Sequence, residues 1–80
     1  MWIEQNDKLT ASYRFKDFRE AFVFMTKVAE VAEGMNHHPW WSNSYNEVNF
    51  ELSTHSAGNK VTDKDFELAK AIDAIYDQAE

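Results

Sequence analysis

Apolar and polar residues trade places along this chain in two rhythms, and each change of rhythm marks a new element. Leu9, Ala11, Tyr13 and Phe15 alternate with Thr10, Ser12 and Arg14, the period of a strand with one buried face. Trp2 and Ile3 supply a short partner strand, with Asn6, Asp7 and Lys8 as the turn between them. After Phe15 the spacing becomes three and four. Phe18, Ala21, Phe22, Met25, Val28, Ala29 and Ala32 then read as one apolar stripe of a helix. Asp17, followed three residues later by Glu20, opens that helix as a capping box, and Gly34 is the expected site of the positive φ that closes it.

Alternation returns from Trp41 through Asn43, with a turn near Tyr45, Asn46 and Glu47. Val48, Phe50, Leu52 and Thr54 then alternate with Asn49, Glu51, Ser53 and His55, so parity assigns His55 to the face opposite Val48, Phe50 and Leu52. A polar turn from Ser56 to Lys60 leads to Thr62, Asp63, Lys64 and Asp65, which open a second helix. Its stripe reads Phe66, Ala69, Ile72, Ile75, Tyr76 and Ala79, with Val61 stapled to Phe66 across the cap. The order β-β-α-β-β-α predicts an α+β domain spanning residues 1–80, a four-stranded antiparallel sheet with both helices packed on one face. The other face stays open unless another subunit or segment covers it.

Length and composition change this picture in one respect. A chain of 80 residues buries little more than half of its unfolded surface, and with no cysteine neither disulfides nor thiolate–metal bonds can supplement the core. Six Phe, three Tyr and three Trp exceed what one small core hides, which points to association through an aromatic surface. The net charge of −6 argues against a nucleic-acid partner and against anionic membrane surfaces. No apolar run approaches the roughly 18 residues that span a bilayer, and the first residues lack a basic-then-apolar signal pattern. The expectation is a soluble, cytoplasmic protein.

Candidate chemistry concentrates in the stretch EGMNHHPWW from Glu33 to Trp41, which holds two adjacent imidazoles, the only proline and two tryptophans. Imidazole is the side chain whose unperturbed pKa lies closest to neutrality, so it donates and accepts protons with little tuning. In extended backbone His37 and His38 point to opposite sides, so both contact a ligand from different directions, or one serves the ligand and the other the fold. Pro39 restricts His38 to extended conformations and stiffens the segment. Other readings stand beside this one. A histidine pair after a helix can simply complement the negative end of its dipole, and His37, His38 and His55 could ligate zinc, although adjacent residues chelate one ion poorly. Asp65 fits a T-x-x-D capping box with Thr62, yet its position relative to Ala69 turns it toward the buried stripe, unusual for a carboxylate with no other task. Of Trp40 and Trp41, at most one can wall a pocket. Glu33 is a candidate because its charge opposes the dipole at a helix C-terminus.

The string E-x-x-x-H-H-P-x-W at Glu33, His37, His38, Pro39 and Trp41, the string Y-x-x-V-x-F-x-L-S-T-H from Tyr45 to His55, and V-T-x-x-D from Val61 to Asp65 together resemble the pterin-4a-carbinolamine dehydratases. FKDFREAFVFMTKVA, from Phe15 to Ala29, is similar to their first long helix, so the resemblance runs from about Phe15 to the C-terminus. It implies dehydration of a 4a-hydroxytetrahydropterin to the quinonoid dihydropterin, in support of tetrahydrobiopterin recycling, without a metal or other cofactor. It also implies a homodimer or homotetramer, and a domain that here lacks the usual N-terminal helical segment. By position, His37, His38 and His55 are implied as the catalytic imidazoles. Pro39, Thr54, His55, Ser56 and Ala57 are implied to line the pterin site, with Glu33, Trp41 and Asp65 nearby. The alternative reading is a non-catalytic dimerising module, since some animal members resemble a dimerisation cofactor for a transcription factor.

Overall fold

A computed structural model describes residues 2–78. Strands β1 (Ile3–Gln5) and β2 (Lys8–Arg14) are followed by helix α1 (Phe18–Met35), strands β3 (Trp40–Ser44) and β4 (Glu47–Leu52), a 3-10 turn (His55–Ala57) and helix α2 (Asp63–Gln78). The sheet is antiparallel throughout, in the order β1-β2-β4-β3. The expected α+β architecture is therefore present, with two hairpins laid side by side.

Turn chemistry sets the register of both hairpins. Asn6 and Asp7 adopt φ of 54° and 62° between the paired Gln5 and Lys8, the doubly left-handed two-residue turn that matches strand twist. Tyr45 takes φ of 52° in the second hairpin, where the Asn43 amide donates to the Tyr45 and Glu47 carbonyls at 3.2 and 2.9 Å. The resulting alignment pairs Leu9 with Leu52, Ala11 with Phe50 and Tyr13 with Val48. These six apolar side chains face the helices and meet Ala21, Phe24, Val28 and Ala32 of α1 and Leu68, Ala69 and Ile72 of α2. Each large member removed from water contributes roughly 1.5–3 kcal/mol.

Four sequence expectations are corrected. Phe24 is buried in place of Phe22, and Phe18 and Phe22 lie on the exposed side of α1. Both phases have helical spacing, so periodicity does not choose between them; the helix carries apolar side chains on two sides. Phe66 is likewise half exposed, Leu68 occupies the buried stripe, and Val61 packs on the core. Ala79, assigned to that stripe, lies outside the described residues. Gly34 sits inside α1, and Asn36 takes the left-handed conformation at φ 53°. The fourth concerns His55. Strand β4 ends at Leu52 and Thr54 forms an isolated bridge with Lys60, so the alternation that assigned His55 to the outer face stops before reaching it.

Asp65 caps as expected, and the box at Asp17 is half formed, the Glu20 carboxylate accepting from the Lys16 amide at 3.3 Å. Asp17 accepts from the Glu20 amide at 2.9 Å, and Asp65 accepts from the Thr62 amide at 2.9 Å. Each satisfies a donor that the first turn of a helix leaves without a partner.

Candidate active site

The end of α1, the end of β4 and the start of α2 converge at one edge of the molecule, and their local geometry decides where three imidazoles go. Helix α1 closes with two backbone bonds: the Asn36 amide donates to the Glu33 carbonyl at 3.1 Å, and the His37 amide donates to the Ala32 carbonyl at 3.0 Å. This is the Schellman closure, which needs one left-handed residue, supplied here by Asn36. It turns the chain sharply, so that His37 is buried beneath the helix end while His38 remains outside.

His37 reaches the first turn of α2, where its Nε2 lies 2.6 Å from Asp65 Oδ1. Asp65 is fully buried. Its other oxygen accepts from the Thr54 hydroxyl at 2.8 Å and from the Thr62 amide at 2.9 Å, while the two threonine hydroxyls are 2.5 Å apart. Thr54 is held in turn by backbone bonds to Lys60, Ala57 and Asn59 that fold the 54–60 segment into a closed loop. The capping carboxylate thus ties three chain segments together. A carboxylate only accepts, so the network assigns the proton of this contact to His37 Nε2. Among the described residues no buried side-chain nitrogen or oxygen lacks a partner, and His37 Nδ1 has none, so Nδ1 touches accessible space.

A cavity of about 400 Å³ is lined by Asn36, His37, His38, Ser53, Thr54, His55, Ser56 and Lys64. His38 is exposed, with Nε2 2.8 Å from Glu33 Oε1 at the surface. His55 opens the 3-10 turn and is exposed, its Nδ1 3.2 Å from Asn59 Oδ1. Gly58 closes that turn at φ 80°, in a conformation that side chains disfavour. Three other concavities are larger, but no histidine lines any of them.

The structure brings together five of the residues that the sequence singled out: His37, His38, Thr54, His55 and Ser56. The others fall outside the lining. Asp65 stands behind His37, and Glu33 pairs with His38. Pro39 is half buried and Ala57 exposed, neither in the cavity wall. Trp41 is directed to the helix side of the sheet, where its ring lies 5.7 Å from that of Phe50, and Trp40 is exposed on the open face, so no indole walls the cavity. Asn36, Ser53 and Lys64 line it without having been singled out. Asparagine tolerates a left-handed backbone, the one signal that could have pointed to Asn36 at the helix end; Ser53 and Lys64 carry no signal beyond being polar. The three imidazoles do not form a metal-binding group: among the described residues no three His, Cys, Asp or Glu are placed to hold one ion.

The chain is a small α+β domain with three histidines gathered around one cavity. The model of the pterin 4 alpha carbinolamine dehydratase family matches residues 1–75, and the chain belongs to that family. A provisionally named pterin-4-alpha-carbinolamine dehydratase of Synechococcus sp. is 51% identical over 74 residues, covering 92% of this chain and 78% of the relative. One from Rhodospirillum rubrum, also provisionally named, is 60% identical over 67 residues, covering 84% and 69%. The crystal structure of a transcriptional coactivator/pterin dehydratase from Brucella melitensis superposes with a TM-score of 0.87 at 43% identity, over 92% of this chain and 80% of that one. A pterin dehydratase-like protein identified as a RuBisCO assembly factor in the alpha-carboxysome shares the fold alone, with a TM-score of 0.76 at 17% identity over 94% and 86% of the two chains. No helix among the described residues is long and apolar enough to cross a membrane.

Proposed function

We propose that this chain dehydrates a 4a-hydroxytetrahydropterin to the quinonoid dihydropterin, by histidine general acid and base catalysis, and so serves tetrahydrobiopterin recycling. One observation carries the reading: imidazoles from positions 37, 38 and 55 line a single cavity, whose volume falls within the range of small-molecule sites, about 300–1,000 Å³. In the reaction the C4a hydroxyl takes a proton and leaves as water, while N5 gives up its proton and its electron pair forms the C4a–N5 double bond. One acid and one base are needed, each worth roughly 10² to 10⁴ in rate.

His37 suits the position nearest the 4a-hydroxyl. Its Nε2 proton is held by Asp65, which fixes the ring and leaves Nδ1 to exchange protons with the ligand. His55 is the partner across the ring, and His38 orients the ligand or shares its protons. Thr54 and Ser56 line the site, and Glu33 holds His38. Asp65 acts through His37 and is a positioning residue. Stopped-flow dehydration of chemically prepared 4a-hydroxytetrahydropterin tests the reading. Acceleration well above the spontaneous rate is expected, and an unchanged rate at micromolar protein contradicts it.

The working form is a homo-oligomer. Helix α1 exposes Phe18, Phe22 and Val23 beside Arg19, Lys27 and Glu30, with the two phenyl rings 5.7 Å apart. An antiparallel pair of such helices would set Arg19 of one copy against Glu30 of the other and bury both phenyl pairs. The same face also supports the alternative, a non-catalytic interaction module, and the Brucella melitensis relative is described as a transcriptional coactivator as well as a pterin dehydratase. A protein that leaves the dehydration rate unchanged yet forms a stable hetero-complex would favour the module.

A further inference from the structure

We infer that Asn59 is a positioning residue for the dehydration: its side-chain oxygen holds His55 in the tautomer protonated at Nδ1, which leaves Nε2 as the nitrogen that accepts the N5 proton. The inference rests on the dehydratase reading of the cavity and adds to it the group that prepares the base.

The loop after β4 builds the contact from the backbone outward. The Thr54 carbonyl accepts from the Ala57 and Asn59 amides at 3.1 and 3.0 Å, the Thr54 amide donates to the Lys60 carbonyl at 2.8 Å, and the Gly58 amide donates to the His55 carbonyl at 3.1 Å. This closure runs through two successive left-handed residues, Gly58 at φ 80° and Asn59 at φ 62°. His55 and Asn59, four positions apart, are thereby set side by side, with Nδ1 3.2 Å from Oδ1. Two demands fall on position 59. Its residue must tolerate a left-handed backbone, as glycine, asparagine and aspartate do, and it must carry an oxygen within reach of the ring, which glycine lacks. Asparagine meets both without bringing a charge.

The direction of the bond follows from its atoms. An amide oxygen only accepts, so the contact assigns the hydrogen to Nδ1, and a neutral imidazole protonated there has its lone pair at Nε2. The His55 ring forms no other hydrogen bond among the described residues. His55 lines the cavity and Asn59 does not, so Asn59 acts on the reaction through the ring.

The three imidazoles differ in their partners. His37 meets the Asp65 carboxylate and His38 the Glu33 carboxylate, whereas His55 meets a neutral amide. The reaction needs unlike rings. The group that protonates the departing hydroxyl must carry two ring protons, a cation that a carboxylate partner steadies; the group that takes the N5 proton must begin with one, at the nitrogen turned away from the ligand. Asn59 provides that second arrangement for His55, and Asp65 provides the first for His37.

Asn59→Gly is the informative variant, because it keeps the left-handed backbone and removes the oxygen. Long-range nitrogen–proton correlation spectra of the full chain, labelled at histidine and held in mildly alkaline buffer, report the tautomer, with His55→Ala supplying the assignment. The expected spectra show Nδ1–H at His55 in the unmodified protein and in Asn59→Asp, and a mixture of both tautomers in Asn59→Gly. The single-turnover rate of 4a-hydroxytetrahydropterin dehydration should fall about tenfold in Asn59→Gly, the worth of one hydrogen bond. It should stay above that level in Asn59→Asp, and Asn59→Gly added to His55→Ala should cost nothing further. An Nε2–H ring in the unmodified protein, an unchanged rate in Asn59→Gly, or a loss equally large in the His55→Ala background overturns the inference and leaves the dehydratase reading intact. Absence of acceleration by the unmodified protein overturns the dehydratase reading instead, and the spectra then decide by themselves whether Asn59 sets the His55 tautomer.

Discussion

Helix α2 carries two carboxylates, eight positions apart, that sew it to distant parts of the chain in similar ways and to different ends. Asp65 collects His37, the Thr54 hydroxyl and the Thr62 amide at the cavity end. Asp73 collects the Trp2 indole, at 3.1 Å, and the Tyr13 hydroxyl at the other. Both replace water by protein donors around an acceptor. They differ in where the donor stands: His37 lines the cavity, and Tyr13 does not. Burial, reinforced by Asp73, pushes the ionisation of Tyr13 far above the ordinary phenol range. The same device fixes a phenol proton at one end of α2 and the orientation of a cavity imidazole at the other.

Removing each carboxylate separates the two regions. Asp65→Ala leaves an imidazole, a hydroxyl and an amide without their acceptor in a fully buried site, and a loss of about 3–5 kcal/mol in urea unfolding is expected. Asp73→Ala strands two donors in a half-buried position and should lose about 1–3 kcal/mol. Equal losses in the two variants would erase the distinction.

The Tyr13 proton gives a pH signature of its own. A free phenol ionises near pH 10, whereas folded Tyr13 retains its proton, so the unfolded chain binds fewer protons than the native one above that pH. Stability is complete below about pH 10 and declines as the pH climbs past it. Tyr13→Phe should flatten that decline, and absorbance near 295 nm should show the Tyr13 phenolate arising only with unfolding. Its appearance in the folded protein would contradict the account. The smallest effect belongs to Glu33→Ala. Its contact with His38 lies at the surface, and a cost below about 1 kcal/mol is expected from the same urea measurement.

The sequence made the elements legible because each buried face leaves a period behind. Leu9, Ala11 and Tyr13 alternate, and Asp17 and Thr62 announce helix starts through side chains that bond within three residues. The phase of α1 was not legible, since Phe22 and Phe24 satisfy the same spacing and only the packed sheet shows which faces inward. Nor was the choice between Gly34 and Asn36, both of which tolerate a left-handed backbone. For the site, local pattern drew attention to His37, His38 and the capping role of Asp65, and the family resemblance added His55, while the partnership of Asp65 with His37 spans 28 positions and depends on where two helix ends meet. The direction of Trp41 required the register of β3 against β4, which pairs it with Phe50. Lys64 was hidden for another reason: a lysine in a helix turn looks like solvated surface until the cavity beside it is known.

The central claim is that the cavity imidazoles trade protons with the ligand, and His55 offers the cleanest test because its ring is held only by Asn59 at the surface. The single-turnover rate of 4a-hydroxytetrahydropterin dehydration by His55→Ala should fall by roughly 10² to 10⁴ with the far-UV circular dichroism unchanged. A rate equal to that of the unmodified protein would contradict the account.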